Sequence, residues 1–227
     1  ILGITLPISV EQIDQYKEDV VKVNNINDGY MRVIAWRGSE QMGVSAQSNT
    51  IHMAFACWDW GSYFSAEKRE KGIALNMAPY RRPAPDTAPT QAKAAGLYMI
   101  CTISKHAAEA DGYDDALMLD YRGYVAEATG ANIFLVKNGE IHTPTPDCFL
   151  NGITRQTVIK LAHDKGYKLI ERHIMPEELG DFEECFLTGS AAEVTAVGEI
   201  AEHRYTVGPV VRDLRDAYEN LVRGRAS

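Results

Sequence analysis

The sequence predicts an α+β protein, or an irregular α/β one: short β-rich runs and helical windows mix along the chain without a regular strand–helix–strand repeat. Three observations carry that reading. Signalled helix starts stand near both ends, one at Ser9-Val10-Glu11-Gln12, a capping box, and one at Pro209. Between them lie runs of aromatic and β-branched residues too short for helices. Asn138-Gly139, flanked by 132–137 and 140–143, is a strong two-residue hairpin signal. The 227 residues, 45% hydrophobic and 24% charged, suit one large domain or two small ones and exclude disorder and a coiled coil. No apolar run approaches the ~20 residues of a membrane helix. A net charge of −8 supplies no basic face for nucleic acid or anionic lipid.

Taken in order, the helix from Ser9 to Asn25 presents Ile13, Tyr16, Val20, Val21 and Val23 on one side, and Asn27-Asp28-Gly29 turns the chain. Tyr30–Trp36 and Ile51–Trp58 are strands, the first interrupted by one charge, Arg32. The polar run 65–71 reads as a linker, Ile73–Met77 as a strand, and 81–90, with Pro83, Pro85 and Pro89, as loop. Good helix formers fill Gln91–Ala110, which stops at Asp111-Gly112. Strands follow at Ala116–Asp120, Tyr124–Glu127 and the two arms of the hairpin. Thr154 caps a helix to Lys165, closed by Gly166, before a strand at Tyr167–Ile174. Strands Cys185–Thr188 and Val194–Ile200 flank Gly189-Ser190-Ala191-Ala192, and Val210–Arg223 is the last helix.

Cys57, Cys101, Cys148 and Cys185 lie far apart with no CxxC pair, so neither a zinc site nor a dense disulfide framework is expected. Three of them, Cys57, Cys101 and Cys185, sit in apolar runs and are expected as buried thiols in a reducing compartment. The six histidines have no metal-ligand spacing, so no metal is assigned. No signal or transit pattern is read, and a cytoplasmic location is the expectation. The sequence holds no GxSxG, P-loop, GxGxxG or HExxH. From the residues alone, Lys93 among Ala92, Ala94, Ala95 and Gly96 reads as a solvated helix lysine, Glu127 as a strand-end surface charge, and Asp114-Asp115 as a solvated turn. Arg81-Arg82 before the prolines reads as loop surface.

Four segments change that reading when taken together: Ala92–Tyr98, Tyr124–Phe134, Leu150–Arg155 and Leu187–Val194. In this order and spacing they resemble the class IV (fold-type IV) pyridoxal-phosphate aminotransferases, most of all the branched-chain amino acid aminotransferases. The resemblance runs through essentially the whole chain. It implies residues 1–68 as the remainder of a small α/β domain, 69–71 as linker and 72–227 as a larger cofactor domain. It also implies an active site between them, completed by a partner subunit in a homodimer or hexamer.

The resemblance implies Lys93 as the Schiff-base lysine, which needs a lowered pKa to attack an aldehyde, and Glu127 as the carboxylate that keeps the pyridine nitrogen protonated. It implies Tyr98 at the cofactor's ring oxygen. Gly152, Ile153, Thr154 and Ser190 become phosphate-binding turns, the first where a glycine precedes free helix N–H groups. For the substrate it implies Ser190, Ala191 and Ala192 at the α-carboxylate and Tyr30 and Arg32 at the distal carboxylate of glutamate or 2-oxoglutarate. Trp60 and Tyr63 become an aromatic wall, and Met42-Gly43-Val44 a closing loop. Ala131 departs from the pattern, standing where the family often has a second glutamate. The family also has a further N-terminal segment with a phosphate-clamping arginine that finds no counterpart here. The chain is therefore expected to be the surviving part of a complete enzyme, or to retain cofactor weakly if whole. The implied reaction is transamination between leucine, isoleucine or valine and 2-oxoglutarate. The alternatives are D-amino acid or R-amine transamination, aminodeoxychorismate lyase activity, or an inactive binding or assembly module.

Overall fold

The computed structural model describes residues 1–61 and 64–225. The chain forms two compact units, Ile1–Tyr63 and Phe64–Ser227. In the first, helix α1 (Val10–Val23) opens on the expected capping box: Ser9 Oγ accepts the Gln12 N–H and the Gln12 side chain accepts the Ser9 N–H. Strands β1 (Tyr30–Arg37) and β2 (Ile51–Trp58) pair antiparallel, Tyr30 opposite Trp58 and Arg37 opposite Ile51. Tyr16 of α1 meets Phe55 of β2 edge-on at 5.6 Å.

The second unit begins with helix α2 (Ala66–Lys71), where a linker was expected. Polar composition misled there: Ser65 caps the helix, Glu67 and Lys71 pair one turn apart, and the basic residues sit in its last turn, where the helix dipole favours them. There follow β3 (Ile73–Met77), helix α3 (Tyr98–Ala110), β4 (Asp115–Leu119), β5 (Val125–Ala128), β6 (Asn132–Lys137), β7 (Glu140–Pro144), helix α4 (Ile153–Asp164), β8 (Leu169–Arg172), β9 (Glu184–Gly189), β10 (Glu193–Ile200), β11 (His203–Arg204) and helix α5 (Pro209–Val222). Residues 91–94 are not the start of α3: Ala94 is extended and a short 3₁₀ turn, Ala95–Leu97, intervenes. Helix-forming composition yields to tertiary ties, since Gln91 Nε2 donates to the carbonyls of Pro146 (2.5 Å) and Phe149 (3.0 Å). Thr154 is not the cap of α4 either; Gly152 holds that position and Thr154 lies inside the first turn.

The unit is built on a nine-stranded sheet. Its pairings run β10-β3-β4-β5-β6, and β9 joins β6 back to β10, closing the circuit. Alternation along β6 explains its central place. Ile133 and Leu135 belong to one core with Leu75, Leu117 and Leu187, while Phe134 and Val136 belong to a second with Val158, Val211 and Leu214 from α4 and α5. Phe134 and Phe186, register partners on β6 and β9, stack at 4.9 Å. Each such side chain taken fully from water contributes about 1.5–3 kcal/mol. Cys101, Cys148 and Cys185 are buried and Cys57 is half-buried, so the buried set differs from the expected one at Cys57 and Cys148. All four are free thiols.

Candidate active site

The apolar face that carries Phe134 and Phe186 gives way to polar residues one pleat further on. Asn132 lies two residues before Phe134 on β6, and Thr188 two residues after Phe186 on β9; residues two apart on a strand share a face. Register then sets three polar side chains in a row, Glu127 on β5 opposite Asn132, and Asn132 opposite Thr188. All three are buried. The Asn132 amide donates through Nδ2 to Glu127 Oε2 at 3.1 Å and to the Leu150 carbonyl at 2.9 Å. Its Oδ1 accepts the Gly152 N–H at 3.2 Å. Thr188 Oγ1 has no hydrogen-bond partner.

Glu127 is not the surface charge that its position at a strand end suggests. Burial pushes its carboxyl up to about 7, against the pull of the nearby Arg82 and Lys93 charges. Arg82 is not loop surface either. It is 4% exposed, and its Nε lies 3.3 Å from Glu127 Oε1, an electrostatic contact rather than an aligned hydrogen bond. Its N–H donates to the Leu119 carbonyl at 2.8 Å, and Nη1 points to Cys101 Sγ at 3.3 Å. Nothing in the local pattern around Arg82 separates it from its exposed neighbour Arg81. The one available signal was indirect: a buried Glu127 would need a cation.

Lys93 follows the proline loop and is exposed, so the desolvation expected for a nucleophilic lysine is not built into this chain's own packing. Nζ donates to Tyr98 Oη at 2.6 Å, which places an amine and a phenol side by side near Glu127. The N-terminal turn of α4 supplies N–H groups without intrahelical partners, with Thr154 buried in it and Ile153 exposed. Arg155, buried beside Thr154, fixes the approach to this turn by donating to Asn151 Oδ1 (2.9 Å), the Pro144 carbonyl (3.0 Å) and Glu171 (2.6 Å). Ser190 is exposed and Ala191 and Ala192 half-buried in the β9–β10 turn; a Cβ added at Gly189, before them, would lie 3.5 Å from the Gly130 carbonyl and 3.6 Å from Ala131 Cβ.

Tyr30, Arg32 and Trp60 come together in the first unit. Tyr30 meets Trp58 at 5.2 Å and Trp60 at 4.7 Å, and the Arg32 guanidinium lies 5.6 Å from the Tyr30 ring centre. Trp58 is an aromatic member that sequence reasoning missed. Val44 and Met42 lie on a fully exposed loop. Tyr63 lies outside the described residues.

Two further clusters fall elsewhere in the second unit. Asp115, expected in a solvated turn, is buried and accepts the Thr129 hydroxyl at 2.5 Å. Among the described residues, Asp120, Asp147 and Cys148 approach closely enough to hold a metal ion. Arg122 Nη2 already serves both carboxylates, at 2.6 Å from Asp120 and 2.8 Å from Asp147.

A pyridoxal phosphate group fits what unit two offers. It requires an amine, a carboxylate for its ring nitrogen and N–H donors for its phosphate. Lys93, Glu127 and the first turn of α4 supply these, and the unpartnered Thr188 hydroxyl leaves a polar atom to spare.

The chain is similar to known aminotransferases. The family model described as amino-transferase class IV matches residues 1–200. A branched-chain-amino-acid aminotransferase of Pseudomonas aeruginosa is 37% identical over 228 residues, covering 99% of this chain and 74% of that protein. A probable branched-chain-amino-acid aminotransferase of Rickettsia conorii is 42% identical, covering 88% of this chain and 67% of the relative. Among solved structures, the Escherichia coli branched-chain amino acid aminotransferase superposes with a TM-score of 0.93 at 32% identity, covering 98% of this chain and 75% of that one. The branched-chain amino acid aminotransferase of Thermobaculum terrenum, solved in its PLP-bound holo form, gives 0.90 at 29%, covering 98% and 74%.

Proposed function

The chain belongs to the class IV aminotransferases, with their fold-type IV architecture, and we propose that it moves an amino group between a branched-chain L-amino acid and 2-oxoglutarate with pyridoxal phosphate as cofactor. The observation that carries this reading is the grouping in one unit of the Lys93–Tyr98 pair, the buried Glu127 and the first turn of α4, with Asn132 bonded to both Glu127 and Gly152. Relatives and solved neighbours named as branched-chain enzymes support the substrate class.

In this reading Lys93 would hold the cofactor and, as a free amine, would carry the α-proton on Nζ. Tyr98 Oη, within 2.6 Å of that nitrogen, orients it and bonds the ring oxygen. Bound pyridoxal phosphate supplies an electron-poor ring that takes up the electron pair left when the α-proton departs. Glu127 serves the ring nitrogen, and it does so as the anion. Arg82 favours that form by sitting against the other carboxylate oxygen. The N–H groups of the α4 first turn, Thr154 and Ser190 bind the phosphate. The Ser190-Ala191-Ala192 turn receives the substrate α-carboxylate. Tyr30, Arg32, Val44, Trp60 and Tyr63 belong to the side-chain pocket, where aromatic surface suits an aliphatic group and Arg32 a distal carboxylate. Assembly as a homodimer or hexamer belongs to the same proposal.

The test is the visible spectrum of the purified protein with pyridoxal phosphate. A band that bleaches with L-leucine and returns with 2-oxoglutarate is the expected result, and Lys93→Ala should remove it. A band indifferent to L-leucine but responsive to D-alanine or an R-amine would overturn the substrate. No band at saturating cofactor would overturn the cofactor reading.

A further inference from the structure

We propose that Asn132 is a positioning residue that couples the two ends of the cofactor cradle, holding the Glu127 carboxylate with one edge of its amide and the phosphate turn at Gly152 with the other. The inference rests on the cradle reading above and deepens it. Sequence reasoning gave Asn132 no role; one amide in a strand looks like filler.

The bonding pattern permits only one orientation of this amide. Gly152 N–H is a donor and needs Oδ1, while the Leu150 carbonyl is an acceptor and needs Nδ2. Turned over, the amide would set donor against donor and acceptor against acceptor. With Oδ1 committed to Gly152, the Nδ2 protons are left for Leu150 and Glu127. Glu127 therefore meets a fixed N–H donor at 3.1 Å, and a donor favours the carboxylate over the neutral acid. The protonated acid would not gain as much from it, so the amide biases Glu127 toward the form that a protonated ring nitrogen requires. Arg82 supports the same form from the other oxygen at 3.3 Å, and burial opposes both.

The second edge acts on the turn. A side chain at position 152 would begin 2.5 Å from Asn132 Oδ1, inside any tolerable contact. Any side chain there would have to push the Asn132 amide aside, and the bond fixes the backbone just before the free N–H groups of α4. Asn132 is also the register partner of Thr188, whose buried hydroxyl is unpartnered and which leads into the Gly189-Ser190 turn. Two parts of the cradle that are far apart in sequence thus meet at one buried amide, and the third begins at the register partner of the same residue. A displacement of Asn132 would loosen the ring end and the phosphate end together, where a change at Thr154 or Tyr98 would affect one end.

The experiment compares wild type with Asn132→Ala and the isosteric Asn132→Asp. In protein free of cofactor, the Glu127 carboxyl is titrated by infrared difference spectroscopy and assigned by its loss in Glu127→Gln. The expected result is an upward move of the Glu127 midpoint by about one unit or more in both variants, through loss of the donor in one and a second carboxylate in the other. Cofactor affinity is then read from the visible band. Asn132→Ala should weaken pyridoxal phosphate binding about 10- to 100-fold. The same substitution should cost at least threefold less in a Glu127→Gln background, and less for pyridoxal, which lacks the phosphate. A Glu127 midpoint that stays put overturns the proposal. So does an equal loss in both backgrounds and for both ligands, since that is what a purely structural asparagine would give through a lowered melting temperature. Absence of any band from wild type at saturating pyridoxal phosphate is a separate outcome. It overturns the cofactor reading, and the cradle role with it, whatever the Glu127 titration shows.

Discussion

The two units of the chain make opposite use of similar materials. In Ile1–Tyr63 a helix and a two-stranded sheet leave Asn49 as the one buried residue among those described, and Ile13, Val20 and Val21 on the apolar side of α1 are only half-buried. In Phe64–Ser227 the strand β6 buries alternate residues in two separate cores, and Arg155, Glu127, Asn132 and Thr188 are buried with them. The patterns differ accordingly: β6 carries an unbroken apolar run at Ile133–Val136, whereas β1 and β2 are interrupted by Arg32 and His52. The difference lies in how many elements can cover a face. Two strands and one helix cannot enclose an interior, whereas a closed circuit of strands with α4 and α5 laid over it can. The lesson concerns chemistry as much as stability. A carboxylate held far from its ordinary range needs a dry, fixed surrounding, and among the described residues the second unit provides one around Glu127.

That contrast can be broken or sharpened in steps of falling size. Phe134→Ala should cost about 3–5 kcal/mol in denaturant unfolding, because it empties the stack on Phe186, whereas Phe55→Ala in the half-buried hairpin should cost roughly 1 kcal/mol. Equal costs would erase the distinction between the units. Next, Glu127 should tie the stability of the cofactor-free protein to pH. Its folded carboxyl, raised to about 7, binds a proton more tightly than the unfolded chain does. The stability associated with it is thus complete below the ordinary carboxylate range and lost as pH rises through 7, by on the order of 3 kcal/mol. The slope of unfolding free energy between pH 5 and 8 should flatten in Glu127→Gln relative to wild type; identical slopes would contradict the assignment. In the first unit, Ser9→Ala should lower stability by about 1 kcal/mol, measured by calorimetry, through loss of the cap. Smallest for the fold, Arg32→Ala should leave unfolding unchanged. It should raise the KM for 2-oxoglutarate about tenfold with little change for leucine, and a uniform change in both would remove Arg32 from acceptor recognition.

Much of the architecture could be read from the chain. Strands at Ile51–Trp58, Ile73–Met77 and Asn132–Lys137, the Asn138-Gly139 turn and the Ser9 capping box were all expected, because each is fixed by short-range period or local bonding. Failures have a common origin in distant partners. The Gln91–Ala94 stretch has helical composition but is tied to carbonyls more than fifty residues away. Arg82 reads as surface until Glu127 is seen beside it. Lys93, Tyr98, Glu127 and Gly152–Thr154 could be named from resemblance to a family. Asn132, Thr188 and Trp58 could not, since their significance lies in strand register and ring contacts, which no single segment specifies.

The closed circuit of strands has a consequence for how the protein is made. Strand β6 waits for β9, about fifty residues downstream, and β3 waits for β10, more than a hundred residues downstream. A ribosome delivering the chain from its N-terminus therefore exposes the open edges of β3 and β6 well before their partners emerge, and such edges invite pairing between nascent chains. Non-local pairing of this kind also slows folding. The row Glu127–Asn132–Thr188 can form only when β9 arrives, so the capacity to take up cofactor should appear late in synthesis and all at once.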